Sequence, residues 1–450
     1  MKERIVIVGA GSAVFTRGLV ADLLALKWEA DLRLADTDPQ ALETADKLVR
    51  KMVEANRSSI QVRSSTDLRE VLAGATVVIS TIGVGGRRAW EKDVEIPRKF
   101  GIWQPVGDTS MPGGLSRALR MIPATVAIAR AVADLAPGAL FFNYANPMSA
   151  VCRGARKATG LPVAGLCHGV NSVERYLAEA LGVELSRFRG RAVGLNHLTW
   201  FVEAYVDGED AMPRLQSIAA EAAREGLSPR AKAAADPNSS SATEKDPFSW
   251  QLLHCFGAFP SALDRHVVEF FPHLFPSGDY YGRKLGVEAF DIAKVIDGGD
   301  RGYRSMREAA LSPEPLPPEA FRRAEGEHEQ VLEIVESVRK DLGRLYSANL
   351  PNQGQVPNMP AEAVVEAPAH ASAGGLRPLA MPPLSPALAG TLASHCQIIE
   401  TIVDAALEGS REKFIQALIL DGSIGDLDDA PKLADALLQG QAEHLPQFRH

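Results

Sequence analysis

The chain has 450 residues, 46% of them hydrophobic and 23% charged, with a formal net charge of −8. That is a soluble, globular composition with room for two domains, and its acidic balance carries no electrostatic footprint for nucleic acid or an anionic membrane. No run reaches the roughly 18 apolar residues that span a bilayer, and four cysteines without regular spacing point to reduced thiols in a cytoplasmic protein.

The run Ile5-Val6-Ile7-Val8 predicts a strand, followed at once by the turn Gly9-Ala10-Gly11-Ser12 and an apolar-periodic helix through Leu24. The glycines let the backbone approach a pyrophosphate, whose charge a helix N-terminus favours, so Gly9, Gly11, Ser12, Val14 and Phe15 form the expected cofactor cradle. Val14 stands where the full pattern has its third glycine, and a plain βαβ unit is the competing reading. A second strand, 32–35, ends in Asp36, close to the spacing at which a carboxylate bonds the adenosine ribose; an acid there selects NAD over NADP. A helix over 39–56, a strand near 59–62 and a buried strand over 75–80 follow. The last opens into Thr81-Ile82-Gly83, where small residues suit passage beside a dinucleotide and bring Thr81 and Gly83 into the cradle.

Arg87 and Arg88 read first as a solvated turn and second as an anion contact. The Gly/Pro-rich loop 101–114 has the composition of a cleft wall, with Asp108 its one carboxylate. A helix over 115–135 and a strand over 140–142 continue a βαβα pattern to about residue 190, which predicts an α/β fold with a doubly wound parallel sheet. Three polar groups then follow apolar runs of strand length: Asn143 to Asn146, Cys167-His168-Gly169, and Asn196-His197. They are expected at strand ends, where open α/β sheets bind ligands. Cys167 and His197 suit a divalent first-row ion; singly they also read as a buried small hydrophobe and a core histidine. Residues 238–241 read as a mobile excursion. The stretch 259–272 packs Asp264, Arg265 and His266 among aromatics, its bland reading being a helix N-terminus served by Asp264. Helices are expected over 303–347, about 395–407 and 410–420, and the chain is divided into a cofactor domain, 1–195, and a substrate, metal and oligomerisation domain, 196–450.

These motifs, in this order, resemble the family 4 glycoside hydrolases. The match rests on Gly9 to Ser12, Pro112-Gly113-Gly114 with Arg117 and Arg120, 143–148, Cys167-His168, 194–200, 352–360 and Val364-Val365-Glu366. Departures occur over 203–246 and at Asp421-Gly422, where the family has Asp-Pro. The resemblance implies a Rossmann-like domain of the lactate and malate dehydrogenase kind, a C-terminal α+β domain, and a homodimer or homotetramer acting on a small-molecule glycoside. It also implies redox-assisted elimination: NAD⁺ takes hydride from C3, a base removes the acidified C2 proton, the C1–O bond breaks, water adds, and the hydride returns.

By that resemblance Cys167 and His197 bind Mn²⁺ or another divalent ion gripping O2 and O3, His168 supplies the acid, and Asp108, Asn146, Asn196, Arg265 and His266 contact the sugar. The family uses a tyrosine or an aspartate as the C2 base; Asp264 is expected here, with Tyr280 or Tyr281 as the fallback. His168 differs from the Asp or Asn of phospho-sugar branches. Gly169 resembles the α-glucuronidase branch rather than the Glu or Ser of α-glucosidases and α-galactosidases, which are the alternatives. The implied substrate is an unphosphorylated α-glucuronide, its carboxylate met by Arg265, Arg87 or Arg88. The first 150 residues alone also fit an NAD-dependent hydroxy-acid dehydrogenase.

Overall fold

The computed structural model describes residues 2–12, 15–224, 241–322 and 330–449; Val14 and residues 238–240 of the predicted excursion lie outside them. Its strands are β1 (Lys2–Val8), β2 (Glu29–Ala35), β3 (Gln61–Ser65), β4 (Val77–Ser80), β5 (Leu140–Asn143), β6 (Ala164–Gly165), β7 (Phe188–Leu195), β8 (Leu198–Val206), β9 (Glu209–Asp210), β10 (Phe259–Pro260), β11 (Asp279–Tyr280), β12 (Arg283–Lys284), β13 (Arg344–Pro351), β14 (Val364–Ser372) and β15 (Gly375–Pro378). One sheet runs β10-β8-β7-β14-β13-β6-β5-β4-β1-β2-β3, with β9 beside β8 and β15 beside β14. From β3 to β6 every neighbour is parallel, the doubly wound order expected of a dinucleotide-binding half. Beyond β6 the pairing is antiparallel.

Sequence accounts for the parallel half directly. Ile5, Val6 and Ile7 are wholly buried on both faces of β1, as in a sheet covered by helices on each side. The helix Pro39–Ala55 begins at Asp38, whose carboxylate accepts from the Gln40 and Ala41 N–H groups at 2.8 and 3.2 Å. One expectation fails further along, and one helix is unexpected. Residues 344–347 begin β13 rather than ending a helix, because Tyr346 and Ala348 alternate inward with period two. A helix over Asp429–Gly440 follows the one at Arg411–Asp421. The division at 195/196 falls in the two-residue turn of the β7–β8 hairpin, so a single sheet serves both halves.

One lateral row crosses this sheet. Gly194 pairs with Glu366, Glu366 with Asn349, Asn349 with Gly165, Gly165 with Asn143, Asn143 with Ser80, Ser80 with Val8, and Val8 with Ala35. Glu366, Asn349, Asn143 and Ser80 are buried, a polar seam in an apolar layer. Gly9, Asp36, Thr81, Asn146, Cys167, Asn196 and His197 each follow their member of the row by one to three residues. The parallel strands deliver the first five along one edge, whereas Asn196 and His197 form the turn at the end of β7, which runs opposite to β6.

Candidate active site

At the ends of β1, β2 and β4 the turn 9–12 closes on the sheet. Gly9 and Ala10 donate to the Ala35 carbonyl at 2.8 and 3.1 Å, Thr81 Oγ1 donates to the Gly9 carbonyl at 3.0 Å, and the Gly11 N–H donates to Asp36 Oδ2 at 2.8 Å. Gly9 has a φ of 85°, and a Cβ there would meet the Ile82 backbone at 2.9 Å, so only glycine permits the turn. Asp36 also accepts from the Asp38 N–H at 3.0 Å; each of its oxygens keeps acceptor capacity beyond these bonds. Ser12 Oγ accepts from the Phe15 N–H at 3.3 Å, the Phe15 ring packs 5.2 Å from that of Tyr144, and the space above Gly83 is open.

The second half of the site gathers around Asp108. Asn146 Nδ2 donates to its Oδ2 at 3.0 Å and Thr109 Oγ1 to its Oδ1 at 2.7 Å; Thr109 Oγ1 also lies 2.9 Å from His197 Nδ1. A hydroxyl has one hydrogen to give, so Thr109 bonded this way accepts from Nδ1–H of His197 and leaves Nε2 bare. The ring of His197 lies 4.0 Å from that of His266. Ligand-type atoms of Asp108, His197 and His266 all fall within 4.8 Å of one another.

Burial by itself would raise the Asp108 carboxyl, but His197, His266 and Arg117 outweigh it and hold the group at about 2. Burial lowers His197, and lowers His266 well below the ordinary imidazole value, with Asp108 opposing both shifts. When both rings are neutral, the Arg117 charge and the bonds from Thr109 and Asn146 still favour an ionised Asp108.

Cys167 follows β6 in the same cleft, its Sγ accepting from the Gly169 N–H at 3.3 Å. Burial pushes its thiol up to about 12, with Glu366 adding to the shift and Asp108 near enough to contribute. Among the described residues it is not one of the cluster formed by Asp108, His197 and His266. His168 is exposed at the cleft mouth, and its charge acts on both His197 and His266.

Several polar atoms here are buried without a hydrogen-bond partner: Asn146 Oδ1, both amide atoms of Asn196, Arg265 Nε and His266 Nδ1. Asn196 lies close enough to Cys167 and Glu366 to favour their charged forms, yet completes no bond of ordinary geometry. Buried polar groups are rarely left so, and this concentration marks a site shaped for a polar ligand. The backbone shows the same tension: His197, Ala262 and Leu263 take φ values of 64°, 86° and 53°, each costing about 1–3 kcal/mol in a residue other than glycine.

Asp264 does not reach the cleft. It is 0% exposed and accepts from the Phe248 and Ser249 N–H groups at 2.8 and 2.7 Å, from Ser249 Oγ at 2.6 Å and from Tyr280 Oη at 2.6 Å. Its carboxylate thus serves the first turn of the helix Pro247–Phe256, and the expectation that it acts as the C2 base is corrected by that geometry. Tyr281 donates to Gln251 at 3.0 Å, and both tyrosines are buried, with burial raising their hydroxyls far from any basic role. Arg87 and Arg88 are also occupied: each contacts Asp300 at 2.5 Å.

Four residues with no role assigned in the sequence enter the site. Thr109 links Asp108 to His197, and Arg117 Nε donates to the Asn146 carbonyl at 3.0 Å. Glu269 accepts from the Val106 and Gly107 N–H groups, both at 2.8 Å, pinning the loop that carries Asp108. Glu366 accepts from Thr199 Oγ1 at 2.9 Å beneath the Asn196–His197 turn. Arg117 and Glu366 lie in motifs already singled out, but nothing in those motifs tells which strand end they support.

A family model described as "Family 4 glycosyl hydrolase" matches residues 4–183, and one described as "Family 4 glycosyl hydrolase C-terminal domain" matches residues 192–424. An "Alpha-galactosidase" of Rhizobium meliloti (strain 1021) is 30% identical over 466 residues, covering 99% of this chain and 90% of that protein. An "Alpha-galacturonidase" of Bacillus subtilis (strain 168) is 30% identical over 448 residues, covering 97% of each. The crystal structure of a 6-phospho-alpha-glucosidase from gut microorganisms, solved in complex with NAD and Mn²⁺, shares the fold, with a TM-score of 0.82 at 22% identity over 100% of both chains.

Proposed function

The chain belongs to the family 4 glycosyl hydrolases, and from that premise we propose that it hydrolyses an unphosphorylated α-linked hexuronide, a glucuronide or a galacturonide. The observation that carries this reading is Arg265. Its Nε is buried and without a partner beside His197 and His266, whereas Arg87 and Arg88 are paired with Asp300. A guanidinium held this way is matched by a carboxylate, bidentately. Gly169 supports the same reading: a Cβ there would stand 3.5 Å from Cys167 Sγ and 3.9 Å from Ala262, so any longer side chain would intrude on the cleft between Cys167 and the 259–266 segment.

When bound, NAD⁺ exchanges a hydride with the sugar C3 and a divalent ion draws charge from the oxygens on C2 and C3. The chain's own residues bind and position these groups and supply the proton to the leaving oxygen. The turn 9–12 receives the pyrophosphate on backbone N–H groups, and Asp36 takes the ribose hydroxyls. Cys167 and His197 hold the ion, Thr109 fixing the imidazole so that Nε2 is free to ligate. Asn146 Oδ1 and the Asn196 amide accept and donate to sugar hydroxyls, satisfying atoms that otherwise have no partner. His168, exposed at the mouth, gives a proton to the leaving oxygen.

No helix among the described residues is long and apolar enough to cross a membrane. All four cysteines are free, which supports a cytoplasmic setting, and the exposed Ile419, Leu420 and Leu427 support a homodimer or homotetramer.

The protein with NAD⁺, Mn²⁺ and a thiol is expected to release p-nitrophenol from the α-glucuronide or α-galacturonide without net NADH, and in D₂O to place deuterium at C2 of the product. Faster release from the α-galactoside or α-glucoside would overturn the substrate class. Retention of hydrogen at C2 would overturn the route.

A further inference from the structure

Resting on the reading that this cleft binds a divalent ion, we infer that Asp108 and His266 are ligands of that ion together with His197, a face of one carboxylate and two imidazoles to which Cys167 adds a further donor. In the sequence Asp108 and His266 read as sugar contacts, and Cys167 and His197 as the whole of the protein's grip. The geometry points elsewhere. Asp108, His197 and His266 present ligand-type atoms within 4.8 Å of one another, as three donors around one ion require.

The imidazoles lie 4.0 Å apart, and His266 Nδ1 is buried with no hydrogen-bond partner in the protein. Two rings packed so closely beside a carboxylate, one with an idle nitrogen, gain little from each other and much from a cation between them. Thr109 already commits Nδ1 of His197, so the second nitrogen is the one free to bind. Oxygen and nitrogen donors also suit Mn²⁺ better than a thiolate does, and two imidazoles with one carboxylate leave neighbouring positions open on a first-row ion. Asn146, which donates to Asp108 at 3.0 Å, is then a positioning residue for a ligand as well as a sugar contact.

The test is pulsed EPR of Mn²⁺ bound to the full-length protein without sugar, where echo modulation counts directly bound imidazole nitrogens. Two are expected in the wild type and one in His266→Gln. Equilibrium dialysis should show His266→Gln and Asp108→Asn each weakening Mn²⁺ by more than the ~10–100-fold typical of disturbing a ligand's supporting hydrogen bond, with NAD⁺ affinity retained as the check on folding. Cys167→Ser is expected to keep both imidazole signals. A single imidazole in the wild type overturns the inference even if a variant fails to fold, as does unchanged Mn²⁺ affinity in His266→Gln. The two readings fail separately: two bound imidazoles with no turnover of any α-hexuronide would leave the ligand set standing and remove the substrate class. A wild type that binds no Mn²⁺ would remove the metal itself.

Discussion

The loop 104–111 brings a half-buried aspartate to the cleft and the segment 259–266 a fully buried one beside it, and the two carboxylates have opposite fates. Asp108 meets Asn146, Thr109, His197, His266 and Arg117, and is held at about 2. Asp264 meets backbone N–H groups, a serine and a tyrosine, and burial raises it, with the Asp246 carboxylate beside it. The difference lies in what each partner does with charge. Cationic and ligand-bearing neighbours keep Asp108 reactive and open to the cleft, whereas helix-end donors spend Asp264 on the fold. A carboxylate in a polar-aromatic motif is therefore not a base until its partners are known.

The contrast breaks most readily at Asp108. Asp108→Asn is expected to lower kcat/KM by at least about 100-fold while costing less stability than Asp264→Asn; a loss of stability as large as that variant's would make Asp108 a fold residue like Asp264. Next comes Asp264→Asn, which leaves buried donors unmet and should cost about 2–4 kcal/mol in urea unfolding. The protein that remains folded should still exchange deuterium into C2, and loss of that exchange at full stability would restore Asp264 as the base.

Titration sharpens the same contrast. Burial raises Glu269 from 4.5 to about 8, so its stabilising contribution is complete below about 4.5 and is lost as pH rises through about 8. Asp108, lowered from 3.8 to about 2, contributes stability above 3.8 that is lost as pH falls through about 2. Glu269→Gln keeps an acceptor for Val106 and Gly107, and should flatten the decline of the thermal midpoint between pH 5 and pH 8; an unchanged slope would mean that Glu269 is ionised throughout. The smallest effect belongs to Arg88→Ala. A half-exposed pair with Asp300 is worth about 0–1 kcal/mol, and uronide turnover should not change, since Arg265 rather than Arg88 is assigned to the carboxylate.

The nucleotide half was legible because its parts are local. Gly9, Gly11 and Asp36 sit in one βαβ unit, and the parallel order through β6 follows from alternating strand and helix patterns. The other half is assembled from segments far apart in sequence, and there spacing gives residue types without orientation. Asp264, Arg265 and His266 are consecutive in the short helix Leu263–Val267. Successive residues of a helix point about 100° apart, so one enters the core while its neighbours enter the cleft, and no motif states the phase. Glu269 and Thr109 were invisible for a related reason, since their roles depend on a loop brought to them by tertiary packing. The strand at 344–347 was missed because a short alternation at the end of a helical pattern is weak against the pattern before it.

The row from Ala35 to Gly194 works as a ruler. Neighbouring strands stand about 4.8 Å apart, so the separation between the dinucleotide turn after β1 and the cysteine after β6 is set in whole strand spacings, three of them. The step from β6 to β7 is again three. Loops beyond the row can lengthen, shorten or change sequence to suit a new sugar without altering the spacing between that turn and that cysteine. That is how one scaffold can keep a single oxidation chemistry while the shape of what it cleaves is rewritten.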